Sequence, residues 1–316
     1  MESHRPVMLD AALAGLAIRA GSICVDATYG RGGHSGEILA RLGGTGFLHA
    51  FDQDPEACAH AWRTHGGASN FRIHAANFAQ LSAVAAAEDF SGHANGILFD
   101  LGVSSPQLDE ASRGFSFMRE GPLDMRMNPN AGEPASGWLA RAPEAEIADV
   151  LWRLGEERHS RRIARAIVHE RVESPITTTT QLAELIARVM RGPRQKIHPA
   201  TRSFQAIRLF INRELEVLED ALKQAVDVLA PGGRLVVISF HSLEDRIVKR
   251  FIRGAGTESE HASRGRRYPP PVAAEPQQPA LKAIARHFPD DDEIAANPRA
   301  RSAVLRVAEK RAEFDA

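Results

Sequence analysis

Short apolar runs alternate with helix-like stretches over residues 22–100. A continuous apolar run of about four to eight residues is typical of a buried strand, whereas apolar side chains that recur every three or four residues indicate a helix. The runs predict strands at 23–27, 47–51, 71–75 and 97–99, and the periodic stretches predict helices at 35–42, 55–65 and 79–89. This alternation is typical of a parallel sheet covered by helices on both faces.

The alternation stops after residue 100 and resumes near residue 204. Between these points, residues 107–135 predict an ordered loop rich in Gly, Pro and Met, and residues 143–192 predict helices. The later pattern predicts a helix at 204–229, a strand at 234–240, a helix at 243–252, a loop at 254–279 and a strand at 302–307. We therefore expect a doubly wound α/β sheet with an all-helical insertion after its fourth strand, over the carboxyl edge where ligands bind.

A glycine-rich turn follows the first predicted strand and precedes a helix. Gly30, Gly32 and Gly33 form this turn, and Asp52 ends the second predicted strand 22 residues beyond Gly30. Glycines let a ligand approach the backbone, a helix N-terminus offers free N–H groups, and an acid at that distance suits a ribose. The arrangement fits S-adenosylmethionine (SAM) or a dinucleotide, and a tight turn without a ligand is the third interpretation.

Two residues of this turn favour SAM over a dinucleotide. Ser35 stands where the third glycine of the dinucleotide fingerprint belongs. Asp26, just upstream, would repel a pyrophosphate, whereas it suits the ammonium and sulfonium groups of SAM.

Composition restricts the cell compartment and the partners. The chain has 316 residues, of which 43% are hydrophobic, and it contains neither an apolar run of membrane-spanning length nor an apolar signal-peptide core. Its two cysteines, Cys24 and Cys58, exclude a disulfide framework, so we expect a cytoplasmic protein.

The net charge is −1, yet residues 151–213 hold 13 Lys and Arg against 5 Asp and Glu. This excess predicts either a grip on RNA phosphates or a solvated helix face. The first candidates for the grip are Arg158, Arg161, Arg162 and Arg165, because a single predicted helical stretch carries all four on one face.

Asp100 ends the fourth predicted strand and leads into a turn of small residues. An acid there faces the reactive end of the cofactor and suits methylation of an exocyclic amine, which needs an acceptor for its proton and no covalent nucleophile. Either Asp100 or a backbone carbonyl of residues 102–105 is the candidate acceptor. Methylation of a cytosine ring carbon would need a cysteine near this turn, and neither Cys24 nor Cys58 is near it in the sequence.

From residue 4 to about residue 310, the chain resembles the bacterial MraW (RsmH) family, which methylates the exocyclic N4 amine of a cytidine in 16S ribosomal RNA. Long motifs in the family's order carry the resemblance, and residues 254–279 contribute none. The motifs are HRPVML (4–9), DATYGRGGHS (26–35), DLGVSSPQLD (100–109), RGFSF (113–117), GPLDMRM (121–127), GEER (155–158), HPATR (198–202), SFHSLEDR (239–246) and NPRARS (297–302).

The resemblance implies a SAM-dependent methyltransferase that acts on the decoding region of 16S rRNA, near the P site of the small (30S) ribosomal subunit. We expect no membrane partner, no DNA partner and no metal ligand. The Rossmann-like methyltransferase domain would comprise residues 1–105 and 204–316, and residues 106–203 would form the inserted helical substrate-binding domain. The implied cofactor-binding residues are Gly32, Gly33, His34, Asp52, Phe78, Asp100 and Gln107, with Phe78 against the adenine. The candidate catalytic residues are Asp100, Ser104 and Ser105.

Two alternative functions belong to other classes. One is a nicotinamide-dependent oxidoreductase, and the other is an RNA-binding assembly factor that keeps SAM as a structural ligand.

Three further segments have roles that the sequence leaves open. Residues 124–127 either shape a base pocket or tie a loop, His241 is either a proton carrier or structural, and residues 198–202 either contact phosphate or form a hinge.

Overall fold

The computed structural model describes residues 5–190, 198–254 and 278–312. His4 of the first motif, the basic residues at 191–197 and most of the predicted loop 254–279, with its arginines 264–267, lie outside the described residues. The chain divides into two compact units. We call Met1–Gly102 with Val217–Ala316 the sheet unit and Val103–Glu216 the helical unit.

The described residues contain seven strands and thirteen α-helices. The strands are β1 (Ile23–Asp26), β2 (Phe47–Asp52), β3 (Phe71–Ala75), β4 (Ala94–Asp100), β5 (Leu229–Ser239), β6 (Leu281–His287) and β7 (Val304–Lys310). The helices are α1 (Leu9–Leu16), α2 (Gly33–Leu42), α3 (Pro55–His65), α4 (Leu81–Ala87), α5 (Ser105–Asp109), α6 (Ala135–Arg141), α7 (Glu144–Gly155), α8 (Ser160–Glu173), α9 (Thr179–Val189), α10 (Thr201–Ile211), α11 (Glu214–Val228), α12 (Ser242–Ile252) and α13 (Asp291–Ala296).

The strands form one sheet in the order β3-β2-β1-β4-β5-β7-β6. β1 pairs in parallel with β2 and β4, and β5 pairs in parallel with β4. β7 runs antiparallel to both of its neighbours. The carboxyl ends of β1, β2 and β4 therefore meet at one edge, which is where open α/β sheets bind ligands. A dinucleotide-binding sheet has the order 3-2-1-4-5-6, without a reversed strand between the last two.

Apolar side chains cover both faces of the sheet, as the sequence predicts. Successive residues of a strand point to opposite faces, so Val25 and Cys24 lie in two different core clusters. Phe51 and Phe99 belong to the cluster of Val25, and Leu98 belongs to that of Cys24. Strands buried on both faces are almost continuously apolar, which explains the clear signal of β1, β2 and β4 in the sequence, whereas the edge strand β3 buries alternate side chains.

The helical unit has its own core and is larger than expected. Trp138, Leu151 and Ile163 are buried in this core, which Phe204 and Ile207 of α10 complete. The expected return to the sheet at residue 204 therefore differs from the observed boundary at Glu216, because the apolar face of α10 packs on α7.

The expected single helix at 204–229 is wrong. α10 ends at Ile211 and α11 begins at Glu214, with Arg213 between them in the left-handed region at φ 50°. The Asn212 side chain donates to the carbonyls of Arg208 and Met125, at 2.9 and 2.8 Å. The Arg208 carbonyl also accepts the Asn212 N–H at 3.1 Å, so Asn212 ends α10 and its side chain ties this end to the Met125 backbone.

The end of the chain also differs from expectation. The predicted strand at 302–307 corresponds to β7, but it does not close the sheet, because β6 pairs beyond it as the edge strand. β6 has one fully buried side chain, Leu281, so its sequence lacks the apolar run that identifies β1 to β4. None of the described helices is long and apolar enough to cross a membrane.

Candidate active site

The glycine turn after β1 is packed against the protein's own side chains. Gly30 and Gly32 have φ of 56° and 73°, which suit glycine. A Cβ atom on Gly32 would lie 2.4 Å from the hydroxyl of Tyr29, and one on Gly33 would lie 2.3 Å from Cγ of Pro6. Packing alone therefore requires glycine at positions 32 and 33, whether or not a ligand approaches them.

Asp26 stabilises this turn from within. Its carboxylate is 1% exposed and accepts hydrogen bonds from the Ser35 hydroxyl at 2.6 Å and the Thr28 N–H at 3.2 Å. Burial raises the pKa of Asp26 above its usual value. Ser35, where a dinucleotide fingerprint has glycine, thus anchors the start of α2 to the end of β1, and Asp26 does not face the surface as a cation-binding group.

Asp52 lies at the carboxyl end of β2 beside the glycine turn. Its Oδ2 accepts the Gly30 N–H at 2.8 Å, and its Oδ1 accepts the Asp54 N–H at 2.9 Å. A carboxylate has about four acceptor positions, so acceptor capacity remains for hydroxyl groups of a ligand. Burial raises the pKa of Asp52 to about 6, and the charges of Asp54 and Asp26 act in the same direction.

The buried His34 and the partly buried Asp100 form a pair at the adjoining ends of α2 and β4. His34 Nδ1 lies 3.5 Å from Asp100 Oδ2, and the Asp100 N–H donates to the Thr28 hydroxyl at 2.7 Å. Burial lowers the pKa of His34, but the hydrogen bond and charge of Asp100 and the charge of Asp26 outweigh it, so the pKa is raised overall. The Val7 carbonyl adds to this rise, although no hydrogen bond of normal geometry joins it to the ring.

Two polar atoms of this pair have no hydrogen-bond partner among the described residues. They are Asp100 Oδ1 and His34 Nε2, and both are buried. Buried polar atoms without a partner are costly, so such atoms commonly mark the place of a ligand or water. An acceptor and a ring nitrogen at this point suit the charged ammonium and carboxylate groups of a bound amino acid.

Phe78 lies on the loop after β3, in a 3-10 turn at Phe78–Gln80. Its ring is half-buried and meets Phe99 edge to face, with centroids 5.5 Å apart. Asn77 accepts the Ala79 N–H at 2.8 Å and donates to the Gln53 side chain at 2.9 Å. This last bond links the loop after β3 to the residue that follows Asp52, a connection that the sequence does not suggest.

Ser104, Ser105 and Gln107 belong to the helical unit. Ser104 is the N-cap of the short helix α5, which begins at Ser105. The Ser104 N–H donates to the Gln107 side chain at 3.0 Å, which forms part of a capping box. Gln107 is 6% exposed. The structure thus shows a local capping role for Ser104 and Gln107, whereas their catalytic and cofactor roles stay predictions.

Two of the segments with open roles are bonded within their own units. Arg126 binds Asp124 through two hydrogen bonds of 2.8 and 2.7 Å and also donates to the Gly132 carbonyl, which ties a loop. His241 is the N-cap of α12, where Nδ1 accepts the Glu244 N–H at 3.4 Å and Nε2 lies 3.1 Å from the Glu244 carboxylate. These contacts support the structural interpretation of both segments.

The arginines at the start of α8 differ partly from expectation. α8 begins at Ser160, so Arg158 precedes the helix, and the prediction that one helix carries all four arginines is wrong. The reason is a tight connection, in which the buried Glu157 carboxylate accepts the His159 N–H at 2.8 Å. Arg165 lies 3.7 Å from Glu144. Arg161 and Arg162 are exposed and make no ion pair with any described residue.

The strand order with a reversed β7, the glycine turn after β1 and the acid at the end of β2 define the class of Rossmann-like, SAM-dependent methyltransferases. The chain belongs to the MraW methylase family, whose profile matches residues 1–311. SAM is the methyl donor of this class. The described residues include no group of three or more His, Cys, Asp or Glu placed to hold a metal ion.

Two relatives of this chain from different organisms carry the same name. The ribosomal RNA small subunit methyltransferase H of Xanthomonas campestris pv. campestris (strain B100) is 54% identical over 309 residues, which cover 98% of this chain and 87% of the relative. The protein of the same name from Thioalkalivibrio sulfidiphilus (strain HL-EbGR7) is 53% identical over 310 residues, which cover 98% of this chain and 97% of the relative. A solved rRNA methylase structure from Streptococcus thermophilus is 12% identical and has a TM-score of 0.43. The match covers 98% of this chain and 99% of that protein. The fold is assigned from the strand order of this chain.

Proposed function

We propose that this protein uses SAM to methylate the exocyclic N4 amine of a cytidine in 16S rRNA, in the P-site decoding region of the small ribosomal subunit. The family and the name of the relatives support an rRNA substrate in the small subunit. The motif resemblance supports the cytidine N4 and its location. The observation that carries the chemistry is Asp100, at the end of β4, whose buried Oδ1 has no hydrogen-bond partner in the part of the chain that the structure describes.

The residues of the sheet unit fit SAM. We assign the ribose hydroxyls to the remaining acceptor positions of Asp52, the adenine to Phe78, and the methionine end to Gly32, Gly33 and His34 with Asp100. When bound, SAM supplies a methyl group made electrophilic by its sulfonium. The resemblance adds Gln107 to the cofactor residues and Ser104 and Ser105 to the catalytic ones.

Asp100 has the chemistry that an exocyclic amine requires. The lone pair of a cytosine N4 is delocalised into the ring, so the amine is a weak nucleophile. A carboxylate oxygen that accepts one N4 hydrogen localises this lone pair and can take the proton that the nitrogen releases. A base inside folded RNA must first be exposed before its amine can reach such a site.

The environment of the two cysteines argues against a ring-carbon mechanism with a cysteine nucleophile. Burial raises the pKa of Cys24 to about 12 and that of Cys58 to about 11. The thiolate is the nucleophilic form, so raised pKa values favour packing roles for both side chains. Cys24 lies in the core under β1, and Cys58 donates to the Asp52 carbonyl at 3.3 Å.

We expect a Cys24→Ala, Cys58→Ala variant to remain active and to produce N4-methylcytidine. Removing two packed sulfur atoms should cost about 1–3 kcal/mol of stability, so the variant is assayed well below its melting temperature. Mass spectrometry of nucleosides from treated small subunits identifies the product. A 5-methylcytidine product, or loss of turnover in the folded variant, would show that a cysteine takes part.

Arg161 and Arg162 are expected to contact RNA phosphates. Each phosphate contact releases counterions, so replacing both with glutamine should reduce the salt slope of small-subunit binding by about 2. The affinity for SAM should not change. The control is Arg41→Gln with Arg63→Gln, which removes the same charge from exposed positions of the sheet unit. Equal slopes in both double variants would mean that the α8 arginines are a solvated face.

The direct test of the function is methyl transfer from labelled SAM to purified small subunits. We expect one labelled cytidine in 16S rRNA, at a position that is unmodified in cells lacking this protein. Hydride transfer from a nicotinamide would instead indicate an oxidoreductase. SAM binding without any methyl transfer would indicate an assembly factor.

A further inference from the structure

The residues that precede α1 lie against the glycine turn of the SAM site. We call residues 5–8 the N-terminal segment. The Pro6 ring fills the space beside Gly33, since a Cβ there would meet Pro6 Cγ at 2.3 Å. The Val7 carbonyl contributes to the raised pKa of His34. A segment distant in sequence thus packs on Gly33 and affects the pKa of His34, two residues that we assign to the methionine end of SAM.

Met8, the last residue of this segment, is held in an unfavourable backbone conformation. Its φ and ψ are 54° and 33°, which is the left-handed region, and its side chain is buried. That region is costly for a residue with a Cβ atom and persists only where surrounding contacts enforce it.

Glu293 supplies such a contact from the other end of the chain. The Met8 N–H donates to Glu293 Oε1 at 2.5 Å. Glu293 lies in the first turn of α13, where its own N–H donates to the N-cap Asp290 at 2.7 Å. This helix end fixes the backbone of Glu293, so its carboxylate holds the N-terminal segment at a defined place.

We propose that Glu293 is a positioning residue of the SAM site. It acts through Met8, whose conformation directs Pro6 onto Gly33 and Val7 towards His34. Without the Glu293 acceptor, the left-handed conformation of Met8 loses a bond that compensates its cost. The wall that Pro6 and Val7 provide is then no longer held against the methionine end of the site.

The test compares three full-length variants by calorimetry with SAM. Glu293→Ala should weaken SAM binding about tenfold, because a hydrogen bond to a charged acceptor is lost. Glu293→Gln keeps a carbonyl oxygen at the same place and should bind within about twofold of the parent protein. Asp292→Ala removes the same charge from the same helix turn, at an exposed position, and should leave the affinity unchanged.

Steady-state kinetics separate positioning from catalysis. Glu293→Ala should raise the KM for SAM, whereas kcat at saturating SAM should stay within about twofold, because Glu293 touches neither reacting group. A merely structural role would lower the melting temperature without this split.

A second pair of variants tests the contact itself. Gly33→Ala places a Cβ against the Pro6 ring and should weaken SAM binding. Pro6→Ala removes Cγ and Cδ, which leaves Pro6 Cβ, 3.5 Å away, as the nearest atom of that residue. The double variant should therefore recover affinity relative to Gly33→Ala. Unchanged affinity in Glu293→Ala, or equal losses in Glu293→Ala and Asp292→Ala, would overturn the proposal. SAM binding is measured without RNA, so this outcome is independent of which nucleotide is methylated.

Discussion

Replacing Asp100 with asparagine is expected to lower the methyl-transfer rate at saturating SAM and small subunits by a hundredfold or more. A positioned proton acceptor contributes about 10²–10⁴-fold to a rate. In Asp100→Asn the carboxylate, whose buried Oδ1 bonds to none of the described residues, becomes a neutral amide. The measurement is the single-turnover transfer of a labelled methyl group to small subunits.

The control for Asp100→Asn is Asp227→Asn, which removes a carboxylate at an exposed position of α11. SAM binding to Asp100→Asn is measured separately, because Asp100 is also assigned to the cofactor. A single-turnover rate within a few fold of the parent protein would exclude Asp100 as the acceptor. A backbone carbonyl of residues 102–105 would then remain as the candidate.

Replacing Asp52 with alanine should cost about 1.5–3 kcal/mol of SAM binding free energy, or roughly 10- to 150-fold in Kd. The carboxylate is a charged acceptor beside the glycine turn, and its two backbone bonds leave acceptor positions for the ribose. Calorimetry measures the affinity, and circular dichroism confirms that the variant folds. Glu37→Ala, at an exposed position of α2, is the matched loss of charge. Equal SAM affinities for Asp52→Ala and Glu37→Ala would refute the assignment.

SAM affinity should also depend on pH through Asp52. Burial raises its pKa from 3.8 to about 6, so the carboxylate is ionised above pH 6 and protonated below it. The ionised form is the stronger acceptor, so affinity should fall as the pH drops below 6. For the stability of the folded chain without SAM we expect the opposite pH trend. Because folding raises this pKa, the native state binds the proton more tightly between about pH 4 and 6, and Asp52 lowers stability as the pH rises through that window. In Asp52→Asn, the contribution of this carboxyl to the pH dependence of SAM affinity and to that of stability should disappear.

Local pattern alone determined the first half of the sheet and the edge at which the site lies. β1, β2 and β4 are buried on both faces, so each appears in the sequence as a compact apolar run, whereas the edge strand β3 alternates between buried and more exposed side chains. Asp52 and Asp100 end such runs, and parallel strands bring their carboxyl ends to one edge. The glycine turn, the acids and the family resemblance were therefore accessible from the sequence.

Only the tertiary structure decided which partners these residues have. Glycine at position 33 is required by Pro6, and Met8 is held by Glu293 from the far end of the chain. The edge strand β6 has little apolar signal because most of its side chains are exposed. The helical unit extends to Glu216 because α10 packs on α7. Periodicity reports which side of an element is buried, whereas the identity of the covering residue depends on contacts between distant segments, which no local pattern contains.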